Sequence, residues 1–222
     1  EIGLLKTGKE ADAHLIERRL RERHHLLVSK HYRSSEHRSF RNDAAYRAGR
    51  STGLRRDDLA IAAGSRAGMQ LRAKQWAGQE FRAMRTLYEA GVRVPYPVSY
   101  TGDQLKMEYF GDRESPAPRL SDIGRRAGVD FPDLWQQCTQ AIRTMTACNL
   151  VHADLSPYNM LLWEGELIII DLPQSVEIGI NFQAMEFLRR DVENVATYFT
   201  KRGVECDVEE LFADSVSLVP WL

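Results

Sequence analysis

Apolar and polar positions over the first 31 residues fall into short runs. These are Ile2 to Lys6, the turn-like Thr7-Gly8-Lys9, Ala11 to Glu17, an arginine-rich turn, and Leu26-Leu27-Val28-Ser29-Lys30. Such runs predict a hairpin followed by a third strand. From Met69 to Ala90 the period lengthens: Leu71, Trp76, Phe81, Met84, Leu87 and Tyr88 recur at helical spacing, with Gly91 as the stop signal. Val98 to Tyr100 and Gln104 to Tyr109 then read as strands around Thr101-Gly102-Asp103. Helical spacing returns at Pro132 to Cys148, at Phe182 to Thr200, and in a last helix capped by Asp207 with Glu209 and Glu210 in its first turn. Between the first two of these lies a hairpin, Asn159 to Trp163 and Glu166 to Ile170, turning at Glu164-Gly165 and ending on Asp171.

Strands with one long helix therefore precede a mainly helical part. The Gly/Pro/charge-rich stretch Gly111 to Pro118 marks the expected boundary, giving an N-terminal lobe over 1–110 and a C-terminal lobe over 111–222. Residues 33–68, rich in Arg, Ser, Gly and Ala, read as a basic flexible insertion.

Composition adds limits. A chain of 222 residues, 43% hydrophobic and 27% charged, is ordinary globular material. No apolar run approaches the roughly 20 residues that span a bilayer, so a soluble, cytoplasmic protein without membrane contact is expected. Cys138, Cys148 and Cys206 are far apart and form no C-x-x-C pair, so they read as buried free thiols. The chain begins at Glu1 without a methionine, and that start is not taken as a native terminus. Net charge is −1, yet residues 1–100 carry 20 Lys/Arg against 11 Asp/Glu, and residues 101–222 carry 10 against 20. The asymmetry fits either a polyanion-binding half or two lobes of opposite charge.

Candidate chemistry centres on residues 150–159, LVHADLSPYN. Phosphoryl transfer needs a metal on the phosphates, a carboxylate for the acceptor hydroxyl and a cation on the inner phosphates. Asp154, Asn159 five residues later and Asp171 at the end of an apolar strand have the order in which the first aspartate takes the hydroxyl proton. Asn159 and Asp171 then hold Mg²⁺ through hard oxygen ligands. His152 reads as a scaffold for the loop. Upstream, Lys30 at a strand end and Glu80 on the following helix have the order of an ion pair that presents lysine to the α- and β-phosphates. Thr7, Gly8 and Lys9 form the only turn available to cradle phosphate, with a single glycine.

Several stretches together resemble the RIO family of atypical serine/threonine protein kinases. They are Thr-Gly-Lys-Glu-Ala-Asp at 7–12, Trp76-Ala77 with Glu80, Pro-Ala-Pro-Arg-Leu at 116–120 and His-Ala-Asp-Leu-Ser-x-Tyr-Asn at 152–159. To these are added Ile-Asp-Leu-Pro-Gln-Ser-Val at 170–176 and Glu-Phe-Leu-x-Arg-Asp-Val at 186–192. Ser156 and the Ile-Asp-x-x-Gln-Ser loop are the most specific of these marks. The resemblance implies an α+β, two-lobed protein-kinase-like fold, with an antiparallel sheet and one long helix in the N-lobe, a mainly helical C-lobe and no activation segment. It implies ATP with Mg²⁺, Asp154 as proton acceptor, Asn159 and Asp171 as metal ligands, and adenine held by backbone at Glu108 and Phe110 behind Met107. In some members the metal-binding aspartate is phosphorylated during an ATPase cycle, which would fall on Asp171. The chain departs from the family in placing Lys6 before Thr7-Gly8 where a serine is usual, and, opening on its first strand, it is not expected to match the members that add a winged helix.

The expected function is thus an ATP- and Mg²⁺-dependent serine/threonine kinase or ATPase capable of autophosphorylation, acting on an unidentified protein acceptor. An aminoglycoside- or choline-type small-molecule kinase is the alternative enzyme, since its loop also runs His-x-Asp-x-x-x-x-Asn. A third reading is a nucleotide-gated module binding RNA or a ribosomal particle through the basic segment 33–74, consistent with the family's role in small-subunit ribosome maturation.

Overall fold

A computed structural model describes residues 2–8, 11–33, 59–61, 63, 65–124 and 128–220. Most of the basic segment expected over 33–68, and Lys9, lie outside the described residues. The chain divides into two compact units, Glu1–Arg85 with Tyr96–Tyr109, and Thr86–Pro95 with Phe110–Leu222.

The first unit is an antiparallel five-stranded sheet in the order β1-β2-β3-β5-β4. Its strands are β1 (Gly3–Thr7), β2 (Ala11–Leu20), β3 (Arg23–Tyr32), β4 (Pro97–Thr101) and β5 (Gln104–Glu108). The central pair is longer than the hydrophobic runs suggest, because β2 and β3 stay paired through the arginine-rich stretch up to a turn at Arg21, whose φ is 55°.

Helix α1 (Arg66–Glu89) begins three residues before Met69. Ser65 explains the start: its Oγ accepts the Gly68 N–H at 3.1 Å, the bond an N-cap supplies. Gly68 is required there, because a Cβ would lie 2.0 Å from the Ala60 carbonyl oxygen. The helix ends as the sequence expects, with Gly91 at φ 84° and the bonds Val92 N–H to Leu87 O and Gly91 N–H to Tyr88 O that close such termini. Its buried face matches the expected one at Met84 and Leu87 and departs from it elsewhere. Met69, Ala73, Ala77, Glu80, Met84 and Leu87 are buried, whereas Leu71, Trp76 and Phe81 are half-buried and Tyr88 is exposed. Small alanines let the helix backbone approach its neighbours, and Leu71, Trp76 and Phe81 flank that face.

The second unit contains β6 (Leu150–Val151) paired with β9 (Val176–Glu177), the hairpin β7 (Met160–Trp163) and β8 (Glu166–Ile169), and helices α2 (Phe131–Ala147), α3 (Ala184–Thr200) and α4 (Val208–Ser217). The hairpin turns through Glu164 and Gly165, both at positive φ, which suits the right-handed twist of the strands. Asp130 caps α2 through the Asp133 N–H at 3.0 Å, and Asp207 caps α4 through the Glu210 N–H at 2.9 Å. Helix α3 starts at Ala184 rather than at Phe182, which is 83% exposed and so gains no burial by joining the helix. The core holds Leu134, Cys138, Ile142 and Met145 of α2, Phe187, Leu188, Val192, Val195 and Phe199 of α3, and Leu211 of α4. All three cysteines are free, but only Cys138 is buried; Cys148 and Cys206 are half-buried, correcting the expectation of three buried thiols. Among the described residues no helix is long and apolar enough to cross a membrane.

Candidate functional site

In the first unit, Lys30 stands in mid-strand, paired in register with Ala13 of β2 and Leu105 of β5. Its Nζ donates to Glu80 Oε1 at 2.8 Å. Glu80 is 1% exposed because it occupies a position in the buried stripe of α1. A buried carboxylate needs both oxygens satisfied, and the Tyr32 hydroxyl donates to Oε2. Tyr32 lies two residues beyond Lys30, so the two side chains share a face of β3. The lysine is also 5.1 Å from the centre of the Tyr32 ring.

On either side of the turn expected to cradle phosphate, the Gly8 N–H donates to the Ala11 carbonyl at 2.9 Å, and Thr7 pairs with Asp12. Arg33 grips Asp12 with two nitrogens, Nε at 2.7 Å, and this pairing holds the Asp12 carboxyl below its usual range. Met107 is buried on β5. Glu108 is tied to Tyr96 twice, its N–H donating to the Tyr96 carbonyl at 2.9 Å and its side chain accepting the Tyr96 N–H at 3.0 Å. Phe110, which belongs to the second unit, packs with Ala117 and Ile168, and its carbonyl accepts the Ala117 N–H at 2.9 Å.

In the second unit the chain leaves β6 into the loop at 152–159. His152 is buried and its Nε2 lies 3.1 Å from the Ile170 carbonyl. Nε2 therefore carries the proton and donates. Burial pushes the His152 pKa down, which keeps the ring neutral. Ala153 has φ 66°, a left-handed conformation that non-glycine residues seldom adopt. Asp191, on α3 and 2% exposed, holds that bend: its carboxylate accepts the Ala153 N–H at 2.7 Å and the Leu155 N–H at 2.9 Å. Arg190 donates to the Ala153 carbonyl from the same helix. Burial pushes the Asp191 pKa up to about 7, against the two N–H donors that pull it down.

Asp154 is thereby turned to solvent beside Asn159. The Asn159 amide donates to the Asp154 carbonyl at 2.9 Å and to its carboxylate at 3.1 Å, while its own carbonyl accepts the Ile170 N–H at 3.0 Å. One residue thus ties the Asp154 loop to the strand end that carries Asp171. Asp171 is exposed and also left-handed, with φ 69°. The Asp154 pKa is raised, first by desolvation, with His152 opposing and the Asp171 charge adding to the rise. These donors fit magnesium, which binds through one or two carboxylates and completes its shell with water and phosphate oxygens. No cluster of three or more His, Cys, Asp or Glu able to hold an ion by itself occurs among the described residues.

Sequence reasoning missed two residues here. Tyr32 carried the signal of period two from Lys30. Asp191 carried the signal of an acid in an otherwise apolar stripe of α3, between Leu188 and Val192.

A model of the RIO domain matches residues 18–211. The chain belongs to the RIO family. It is 37% identical over 140 residues to the RIO-type serine/threonine-protein kinase Rio1 of Haloferax volcanii, a match covering 63% of this chain and 47% of that protein. It is 36% identical over 136 residues to Rio1 of Thermoplasma acidophilum, covering 61% and 69%. This RIO chain spans about half the length of the first of these relatives and about two thirds of the second. Its fold is that of the Rio2 kinase of Chaetomium thermophilum, solved as an ADP/Mg²⁺-phosphoaspartate complex. The TM-score is 0.71 at 22% identity, over 99% of this chain and 62% of that one.

Proposed function

We propose that this RIO domain transfers the γ-phosphoryl group of Mg²⁺-ATP, as a serine/threonine kinase with ATPase turnover. The observation that carries the reading is the bonding of Asn159, which joins the Asp154 carboxylate to the backbone next to Asp171. Lys30, held by Glu80, would pair with the α- and β-phosphates. Thr7, Gly8 and Lys9 would lie along the phosphates, and Met107, Glu108 and Phe110 would bound the adenine. Mg²⁺, bound with the nucleotide, supplies charge neutralisation on the phosphates, and Asn159 Oδ1 and Asp171 would be its protein ligands. Asp154 accepts the proton of the acceptor hydroxyl, a role for which a raised carboxyl pKa is an advantage near neutral pH.

By analogy with the phosphoaspartate of the Rio2 structure, a second step is assigned to Asp171: its exposed carboxylate would take the γ-phosphoryl group from ATP, releasing ADP, and water would then hydrolyse the acyl phosphate. Incubation with labelled ATP and Mg²⁺ tests both steps. Acid-stable label lost in Asp154→Asn supports transfer to serine or threonine, and hydroxylamine-labile label lost in Asp171→Asn supports the aspartyl step. Unchanged labelling in both variants removes the assignment. The protein acceptor, and contact with RNA or a ribosomal particle through 33–74, belong to the same proposal.

A further inference from the structure

Past the end of α1 the chain continues as Val92-Arg93-Val94. Both valines are buried and the arginine between them is exposed, the alternation of an extended segment. This segment runs beside β8. The Arg93 carbonyl accepts the Ile169 N–H at 2.9 Å, two residues before Asp171, and its Nε donates to Glu166, the first residue of the same strand, at 2.7 Å. The guanidinium also lies 5.1 Å from the centre of the Phe110 ring, inside the roughly 6 Å over which a cation is drawn to an aromatic face. All of these residues belong to the second unit.

The side chains of Arg93 and Glu166 are 41% and 55% exposed, and an ion pair so open to water adds little stability. Its consequence is placement. Glu166 fixes one rotamer of a long side chain that would otherwise sample many, and that rotamer sets the guanidinium over Phe110. The ring is 5% exposed and also packs with Ala117 and Ile168, so the hairpin and Arg93 hold it together.

We propose that Arg93 is a positioning residue for the adenine end of the nucleotide site, acting through Phe110. The inference rests on the assignment of Phe110 to the adenine. A ring held in place presents the Phe110 backbone in one position before the nucleotide arrives, and binding then has less to order. Arg93 acts on the base and not on the phosphates. Its charge is answered by Glu166, so a purely electrostatic influence on the nucleotide would change sign between the two residues, whereas placement of the ring depends on both.

The test is displacement of a fluorescent ATP analogue by adenosine, and separately by tripolyphosphate with Mg²⁺, from the wild type, Arg93→Ala and Glu166→Ala. Adenosine affinity is expected to fall about fivefold in Arg93→Ala and about twofold in Glu166→Ala, with tripolyphosphate affinity unchanged in both. Should Arg93→Ala lose its thermal transition, Glu166→Ala carries the comparison alone. Adenosine affinity unchanged in either folded variant, shifts of opposite sign in the two, or an equal fall for tripolyphosphate would overturn the role of Arg93 while leaving the adenine assignment in place. A wild-type protein that binds tripolyphosphate but not adenosine would remove that assignment, and the inference with it.

Discussion

The Asp191 carboxylate accepts the backbone N–H of Ala153 at 2.7 Å, and through that bond a helix fixes a left-handed turn next to Asp154. Replacing Asp191 by alanine leaves this N–H and that of Leu155 buried without an acceptor, at about 1–3 kcal/mol for each. Urea denaturation should show Asp191→Ala destabilised by about 2 kcal/mol or more, with Asp191→Asn, which keeps one acceptor oxygen, in between. Labelling from ATP should fall in the same order, because Asp154 loses its support; equal stability of the three proteins would refute the assigned role.

The pH dependence has a definite sign. Asp191 sits at about 7 in the folded chain against an ordinary 3.8, so between those values the folded state keeps a proton that the unfolded state gives up. Its contribution to stability is full below pH 3.8 and is lost as the pH rises through about 7. His152, with its pKa lowered from 6.5, has the opposite sign: its contribution is present above 6.5 and is lost as the pH falls through its lower folded value. The clean measure is therefore the wild-type stability minus that of Asp191→Asn. This difference should decline from pH 4 to pH 7, and a flat difference would mean that Asp191 is ionised throughout.

Lys30 and Glu80 allow a double-variant test. Lys30→Met removes the ammonium from the buried Glu80 carboxylate, at an expected cost of about 3 kcal/mol. In Lys30→Met/Glu80→Leu the buried charge is gone, and most of that loss should return. Nucleotide affinity, read by titration with a fluorescent ATP analogue, should stay low in both proteins. A double variant less stable than the single one would show that the pair itself contributes net stability.

Asn159→Asp would set a second carboxylate against that of Asp154, where the amide now donates at 3.1 Å. Like charges at that spacing disfavour ionisation, so the Asp154 pKa should rise further and the acidic limb of the rate profile should move to higher pH. A pH profile of ATP turnover measures this. An acidic limb that stays in place would detach Asp154 from the proton transfer.

Local pattern made much of this molecule legible. The strand runs, the Glu164-Gly165 turn, the cap Asp207, and Gly91 as a helix stop are properties of a few adjacent residues, and the chain order Lys30, Glu80, Asp154, Asn159, Asp171 needs no coordinates. What adjacent residues do not encode is which face of a helix meets its neighbour. Of the bulky residues expected in the stripe of α1, packing buried Met84 and Leu87 but set Ala73, Ala77 and Glu80 beside them in place of Leu71, Trp76 and Phe81. The same holds at larger distance. Asp191 is 38 residues from Ala153, and Tyr32 is 48 from Glu80, so their roles arise only when separate elements bring an acceptor to buried donors. Periodicity and turn chemistry determined the elements and the candidate groups. Tertiary packing decided which polar groups were buried, and hence which partners each one had to find.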